Sequence, residues 1–309
     1  MVEGQGITFR RLALVGLGHI GASISLAAQR AGIVEEIAGT DASPAVRDRA
    51  LAIGLVSQCP ATPAEAVVGA DLVILCTPPS AFARVAAAIA PHLAPGAIVT
   101  DVGSIKAAAV AAIQPHLPSH VHFVPGHPIA GTEHSGPDSG LTTLFDGRWT
   151  ILTPLDDSAP EAVARLTAFW EALGSKVATL APDRHDLVLA TTSHLPHLIA
   201  YCIVGTADDL QAVTRSEVIK YSAGGFRDFT RIAASNPDMW RDVFLANREA
   251  VLEMLGRFTQ DLSALEALVR AGDGEALHAF FTRTRAIRRS IIDAGQDSAA
   301  PDFGRHRQG

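Results

Sequence analysis

The sequence predicts an α/β chain: an N-terminal doubly wound parallel sheet joined to a C-terminal all-helical domain. Three observations carry this. Short apolar runs alternate with helical stretches up to about residue 181, glycine-rich turns follow several of those runs, and strand-like patterning disappears from Pro182 onward. With 309 residues, 48% of them hydrophobic, the chain is long enough for two domains. We expect them at 1–181 and 182–293, with 294–309 as a frayed tail.

Taken in order, Arg11-Leu12-Ala13-Leu14-Val15 reads as a buried strand. It runs directly into Gly16-Leu17-Gly18-His19-Ile20-Gly21, which opens an Ala-rich helix stopped by Gly32. This is the strand, turn and helix context of a Rossmann-type dinucleotide site. The first glycine permits the tight turn, the second lets backbone approach a pyrophosphate, and the third lets helix pack on strand. Gly16, Gly18, His19, Ile20 and Gly21 are therefore expected to contact the cofactor through free N–H groups at the helix start. A second strand, Glu36 to Thr40, ends at Asp41, twenty residues after Gly21, where a carboxylate accepts ribose hydroxyls and favours NAD. Asp41 as a mere helix cap is the simpler alternative, but Ser43-Pro44 already supplies the favoured cap and first-turn pair. No arginine stands directly beside Asp41 in sequence to hold a 2'-phosphate.

Two further strands stop at turn residues. Asp71 to Cys76 ends at Thr77-Pro78-Pro79, because proline cannot continue a central strand, and Ile98 to Asp101 ends at Val102-Gly103-Ser104. Thr77, with Pro78, has two readings, cofactor contact and turn chemistry. Ser104 also has two that are compatible: N-cap of a helix beginning near Ile105, or a hydroxyl facing substrate. Lys106 stands out weakly, as one of three lysines in a chain that mostly uses arginine. A strand from Val121 to Val124 leads into Gly126-His127-Pro128-Ile129-Ala130-Gly131-Thr132-Glu133, setting an imidazole beyond a strand's carboxyl end, where parallel sheets place ligands. His127 is thus the candidate general base. A helix from Pro160 to Leu173, ended by Gly174, and a last strand, Lys176 to Leu180, are expected to complete the sheet.

In the second half, helices break at Gly205, Gly224-Gly225, Asn236-Pro237 and Gly272-Asp273-Gly274. The first carries His185 and Ser193-His194-Leu195-Pro196-His197. His194 and His197, three apart, share a face, and Pro196 should kink the axis. A polar pocket is favoured over a metal site, which would want further ligands. Arg227 and Arg231 follow Gly224. Arg227 has a ready ion-pair partner in Asp228, whereas Arg231, in the more apolar Phe229-Thr230-Arg231-Ile232 context, is the preferred clamp for an anionic substrate.

A formal charge of −7 gives no reason to expect nucleic-acid binding. Cys59, Cys76 and Cys202 suggest neither a disulfide framework nor a metal site, which fits a reducing cytoplasm. Neither an export signal nor an uninterrupted apolar run long enough to span a membrane is read. A small-molecule substrate is expected.

With these blocks in order, from Leu12 to about Ile292, the chain resembles the prephenate dehydrogenases and the related arogenate and cyclohexadienyl dehydrogenases of tyrosine biosynthesis. The resemblance rests on Asp101 to Lys106, His127 to Gly136, Ser193 to His197 and Gly224 to Trp240. It implies NAD-dependent oxidative decarboxylation of prephenate to 4-hydroxyphenylpyruvate, with arogenate as the alternative substrate, in a homodimer formed through the helical domain. His127 matches the family's catalytic histidine and Ser104 the serine that helps orient it. Arg231 matches the carboxylate-binding arginine, and Ser193, His194, His197, Gly224 and Trp240 match pocket positions. Glu133 matches an acid that pairs with that arginine. His134 departs from a frequent lysine. Two remoter readings are a 3-hydroxy acid dehydrogenase, which would carry a catalytic lysine where this helix has histidines, and an NAD-sensing regulator, which would not need Ser104, His127 and Arg231 together.

Overall fold

The computed structural model describes residues 9–132, 134–209, 221 and 223–293. It divides into two compact units, Met1–Val251 and Leu252–Gly309.

In the first unit a five-stranded parallel sheet runs in the order β2-β1-β3-β4-β5, with β1 Phe9–Val15, β2 Val34–Thr40, β3 Leu72–Leu75, β4 Ile98–Asp101 and β5 His122–Phe123. Alternate side chains bury into opposite faces. Leu12, Leu14, Leu72, Ile74 and Ile98 join one core, while Ala13, Val15, Val73, Leu75 and Val99 join another with Phe82, Ile89 and Ile113. Both faces are covered, which is why these strands read as continuous apolar runs. Val15 lies opposite both Thr40 and Leu75, and Leu75 opposite Asp101, so the carboxyl ends are level. The order reverses between β1 and β3, which brings the Gly16 and Thr77 turns to the switch point.

The segment after β5 departs from expectation. Rather than one sheet completed by Lys176 to Leu180, a second, three-stranded sheet forms from β6 Gly126–Pro128, β7 Trp149–Leu152 and β8 Lys176–Thr179. In it β6 pairs antiparallel with β7, and β7 parallel with β8. Pro125 supplies the physical cause. It has no N–H to extend the β5 ladder, and its carbonyl instead accepts from Thr153 N–H at 2.9 Å. His127 accordingly sits within a short strand, opposite Ile151, rather than on a free loop beyond the main sheet.

The helices follow their local signals. α1, His19–Ala31, ends at Gly32, whose φ of 64° suits glycine. α2, Pro44–Ala52, is capped by Ser43, and α3 is the single turn Pro63–Ala66. α4 is Phe82–Ile89, α5 Ala107–Ile113 and α6 Pro160–Ala172. α7, Pro182–Leu189, passes through a π turn at Ala190–His194 into α8, Leu195–Asp209. The expected effect of Pro196 takes this form: its ring crowds the carbonyl four residues back, at Thr192, and the wide turn accommodates it. By length and composition the 28-residue run Pro182–Asp209 could cross a membrane, but His185, Asp186 and His194 on it are built into a buried polar network of this unit. α9, Gly224–Thr230, and α10, Pro237–Ala246, follow, the latter capped by Asn236 accepting from Met239 N–H.

The second unit contains residues 252–271 of α11, Arg248–Ala271, and α12, Gly274–Asp293, which are separated by Gly272 at φ 67°. Leu262, Val269, Phe281, Ile287 and Ile291 are exposed on these helices. The expected tail at 294–309 lies outside the described residues.

Candidate active site

The glycine turn is shaped for an anion. A Cβ on Gly16 would meet the Cys76 carbonyl oxygen at 2.6 Å, and one on Gly21 would run into the Gly16 carbonyl, whereas one on Gly18 would meet nothing within 4 Å. Two glycines thus allow the turn to close, and the middle one leaves its approach open. The α1 N-terminus has no side-chain cap and no acid in its first turn, so its N–H groups are available to a pyrophosphate. Asp41 ties the turn to the end of β2, accepting from Leu17 N–H at 3.1 Å and Ser43 N–H at 2.9 Å. Contrary to the linear reading, a guanidinium does stand beside it, because one helical turn folds Arg47 back to donate to the Asp41 carbonyl at 2.7 Å. His19 is buried, with Nδ1 2.8 Å from the Ser139 carbonyl, and Ile20 is half-buried against the core. Thr77 Oγ1 is buried without a hydrogen-bond partner among the described residues, and Pro78 is exposed next to it. These residues fit a dinucleotide.

At the ends of β4 and β6 lies a buried polar network. Lys106 and Asp101 are both 0% exposed, and Lys106 Nζ donates to Asp101 Oδ2 at 2.5 Å and to the Gly126 carbonyl at 2.6 Å. The lysine therefore pins the strand that carries His127. His127 Nδ1 lies 2.9 Å from His185 Nε2, and His185 Nδ1 lies 2.8 Å from Asp186 Oδ1. Asp186 in turn accepts from Lys106 N–H at 2.7 Å and Ala107 N–H at 2.9 Å. It thereby caps α5, the first of the two readings that the sequence offers for Ser104. The Ser104 hydroxyl is not the cap of that helix, and the ring nitrogen that faces His127 Nδ1 is that of His185. Ser104 remains half-buried next to this network.

A carboxylate only accepts, so His185 carries its proton on Nδ1 and offers a lone pair at Nε2. His127 must then donate from Nδ1, which leaves its Nε2 as the basic nitrogen. Burial, then the neighbouring His185, Lys106 and His194, hold the His127 pKa well below the usual histidine value. Burial likewise lowers His185, against the pull of Asp186.

The expected substrate residues partly converge. Asn247 Nδ2 donates to the Asp186 carbonyl at 2.9 Å and lies 3.1 Å from His194 Nδ1, tying the histidine helix to the same network. His194 Nε2 makes no well-formed hydrogen bond among the described residues. Burial brings its pKa down to about 4, opposed in part by Asp186 and the Ser104 carbonyl. His197 stacks on Trp240 with ring centroids 3.6 Å apart, and its Nδ1 is bonded to the Ser193 carbonyl at 2.9 Å. Burial lowers its pKa, and the charge of Arg231 adds to this, which puts the guanidinium within electrostatic reach. Trp240 packs with Ile105 and Val243, joining this wall to the Ser104 segment, and its Nε1 is buried without a partner among the described residues. Gly224 opens α9 and is exposed. Glu133 lies outside the described residues.

Sequence reasoning missed Asp101, Asp186 and Asn247 and gave His185 no role. The available signal was the dipeptide His185-Asp186 directly before the apolar run Leu187-Val188-Leu189-Ala190.

A glycine turn open to a pyrophosphate and, at the ends of β4 and β6, a half-buried imidazole whose charged form burial disfavours fit a nicotinamide-dependent dehydrogenase. Residues 24–179 match the prephenate dehydrogenase nucleotide-binding domain, and residues 181–283 match the prephenate dehydrogenase dimerization domain. The chain is 40% identical over 283 residues to the cyclohexadienyl dehydrogenase of Zymomonas mobilis, covering 92% of this chain and 96% of that one. It is 31% identical over 296 residues to the prephenate dehydrogenase of Bacillus subtilis, covering 94% and 78%. Prephenate dehydrogenase from Aquifex aeolicus, solved with hydroxyphenyl propionate and NAD+, superposes with a TM-score of 0.85 at 34% identity, covering 91% of this chain and 98% of that one. Synechocystis arogenate dehydrogenase gives 0.77 at 29%, covering 91% and 99%. The chain belongs to the prephenate dehydrogenase family, and its cofactor is NAD.

Proposed function

We propose that this chain oxidises prephenate to 4-hydroxyphenylpyruvate and carbon dioxide, as a cytoplasmic homodimer. Arogenate is the second reading, favoured by the likeness to a cyclohexadienyl dehydrogenase and an arogenate dehydrogenase. The observation that carries the proposal is the 2.9 Å contact of His127 Nδ1 with His185 Nε2, which engages one ring nitrogen and leaves Nε2 for a substrate proton.

In this reading Gly16, Gly18, His19, Ile20 and Gly21 frame the pyrophosphate, Asp41 takes the adenosine ribose, and Thr77 and Pro78 line the crevice between them. NAD, when bound, supplies the hydride acceptor. His127 Nε2 takes the proton of the substrate's ring hydroxyl as that carbon is oxidised; the ring carboxylate then leaves as carbon dioxide and the ring becomes aromatic. Ser104 hydrogen bonds to the same hydroxyl. Arg231 pairs with a substrate carboxylate, and Glu133 is the acid whose family counterpart pairs with that arginine. Ser193, His194, His197, Gly224 and Trp240 form the remaining wall. The dinucleotide-binding domain is taken as 1–181 and the helical one as 182–293, whose exposed apolar side chains, such as Phe281 and Ile287, suit a subunit interface.

The test is direct. Purified protein with NAD and either prephenate or arogenate should form NADH, read by absorbance, together with carbon dioxide. Turnover of neither would end the reading.

A further inference from the structure

His127 is reached from behind by a chain of two hydrogen bonds that ends on a carboxylate. We propose that His185 and Asp186 are positioning residues that lock His127 in the tautomer whose Nε2 is free to accept a proton. The inference rests on the reading of His127 as the base.

The geometry leaves one arrangement. Were His127 protonated at Nε2 instead, two lone pairs, on its Nδ1 and on His185 Nε2, would face each other at 2.9 Å. Were His185 flipped to its other tautomer, a lone pair would face the Asp186 carboxylate at 2.8 Å. Both alternatives exchange a hydrogen bond for a repulsion inside a buried site. Asp186 is itself immobilised, because two N–H groups at the start of α5 hold its two oxygens and the helix terminus favours its charge. His185 is 0% exposed, so water cannot replace its ring as the acceptor.

The same chain serves the protonated state. Once Nε2 takes a proton, the imidazolium still donates from Nδ1 to His185. The charged and titratable groups set around it are His185, Lys106 and His194, which oppose that charge, and Asp186 and Asp101, which balance Lys106. Ser104, expected to orient His127, is relieved of that task and left for substrate.

Three measurements test this. In the wild-type protein, histidine-selective 15N NMR should show His127 with Nδ1 protonated and Nε2 bare; the opposite tautomer would overturn the proposal, whatever the substrate proves to be. His185→Leu removes the acceptor and should lower kcat about a hundredfold, with NADH binding by fluorescence within about twofold of wild type, and the acid limb of kcat/KM displaced from its wild-type position. His185→Gln places an amide oxygen near the former Nε2 and should restore kcat to within about tenfold of wild type. A kcat for His185→Leu within about threefold of wild type, an unmoved acid limb, or a His185→Gln variant no better than His185→Leu would each overturn it. If the wild type turns over neither substrate while the NMR shows the stated tautomer, the functional reading fails and the positioning stands.

Discussion

Replacing Lys106 with methionine removes the cation from a site that water does not reach. The structure sets the size of the effect. Lys106 and Asp101 are both 0% exposed, and the ammonium bonds one Asp101 oxygen at 2.5 Å and the Gly126 carbonyl at 2.6 Å. Without it, the Asp101 carboxylate retains, among the described residues, Gly103 N–H at 2.8 Å and a long contact from Gly126 N–H at 3.4 Å. Leaving one member of a buried pair uncompensated costs about 3–5 kcal/mol. For a unit of this size each kcal/mol moves Tm by roughly 2–4 °C, so a fall of about 6–20 °C is expected by calorimetry. Adding Asp101→Asn removes the stranded charge and should recover at least about half of the loss. A Lys106→Met variant within about 1 kcal/mol of wild type, or a double variant no better than the single one, would refute the view that this ion pair anchors the strand of His127.

His127→Asn should lower kcat by about a hundredfold or more with substrate binding retained, and a smaller drop would remove it as the base. Arg231→Ala should raise KM by about tenfold or more and leave kcat little changed; an unmoved KM would identify it as the wrong clamp. Asp41→Ser removes the carboxylate while Arg47 keeps its place beside the Asp41 carbonyl, so the ratio of kcat/KM for NADP over NAD should rise at least about tenfold, and a constant ratio would contradict the ribose assignment. Stability should also depend on pH through His194, which titrates at about 4 when folded against an ordinary value of 6.5. The unfolded chain takes up that proton first, so stability is complete above about pH 6.5 and is lost by up to roughly 3 kcal/mol as pH falls towards 4. Denaturant curves that coincide at pH 7 and about pH 4.5 would exclude this.

Sequence was most informative where the constraint is local. Gly16 and Gly21 are glycines because a Cβ at either would strike backbone, Gly32 because the helix ends in a left-handed turn, and Ser43-Pro44 because a helix begins there. Each is decided by neighbours close in the chain, so the dinucleotide half could be read in order. The second sheet was not legible, because the pairing of Gly126–Pro128 with Trp149–Leu152 spans more than twenty residues and its cause is a single missing N–H at Pro125. The Arg47 guanidinium was missed for a related reason, since six positions in sequence become adjacency only after a helical turn.

The cap of α5 shows what this means for the site itself. Local reasoning offered Ser104, the nearest hydroxyl, as one candidate for the orphan N–H groups, but they donate to Asp186, 80 and 79 residues away. That substitution has a chemical consequence. A carboxylate brought from a separate helix joins the start of α5 to the histidine behind His127, its Oδ1 meeting both Lys106 N–H and His185 Nδ1. The base and the Ser104 segment are thereby held by one group, so a change that loosens the docking of α7 should disturb both at once, although neither residue lies on that helix. A hydroxyl at the helix start would have filled the cap and left His127 with no carboxylate behind it.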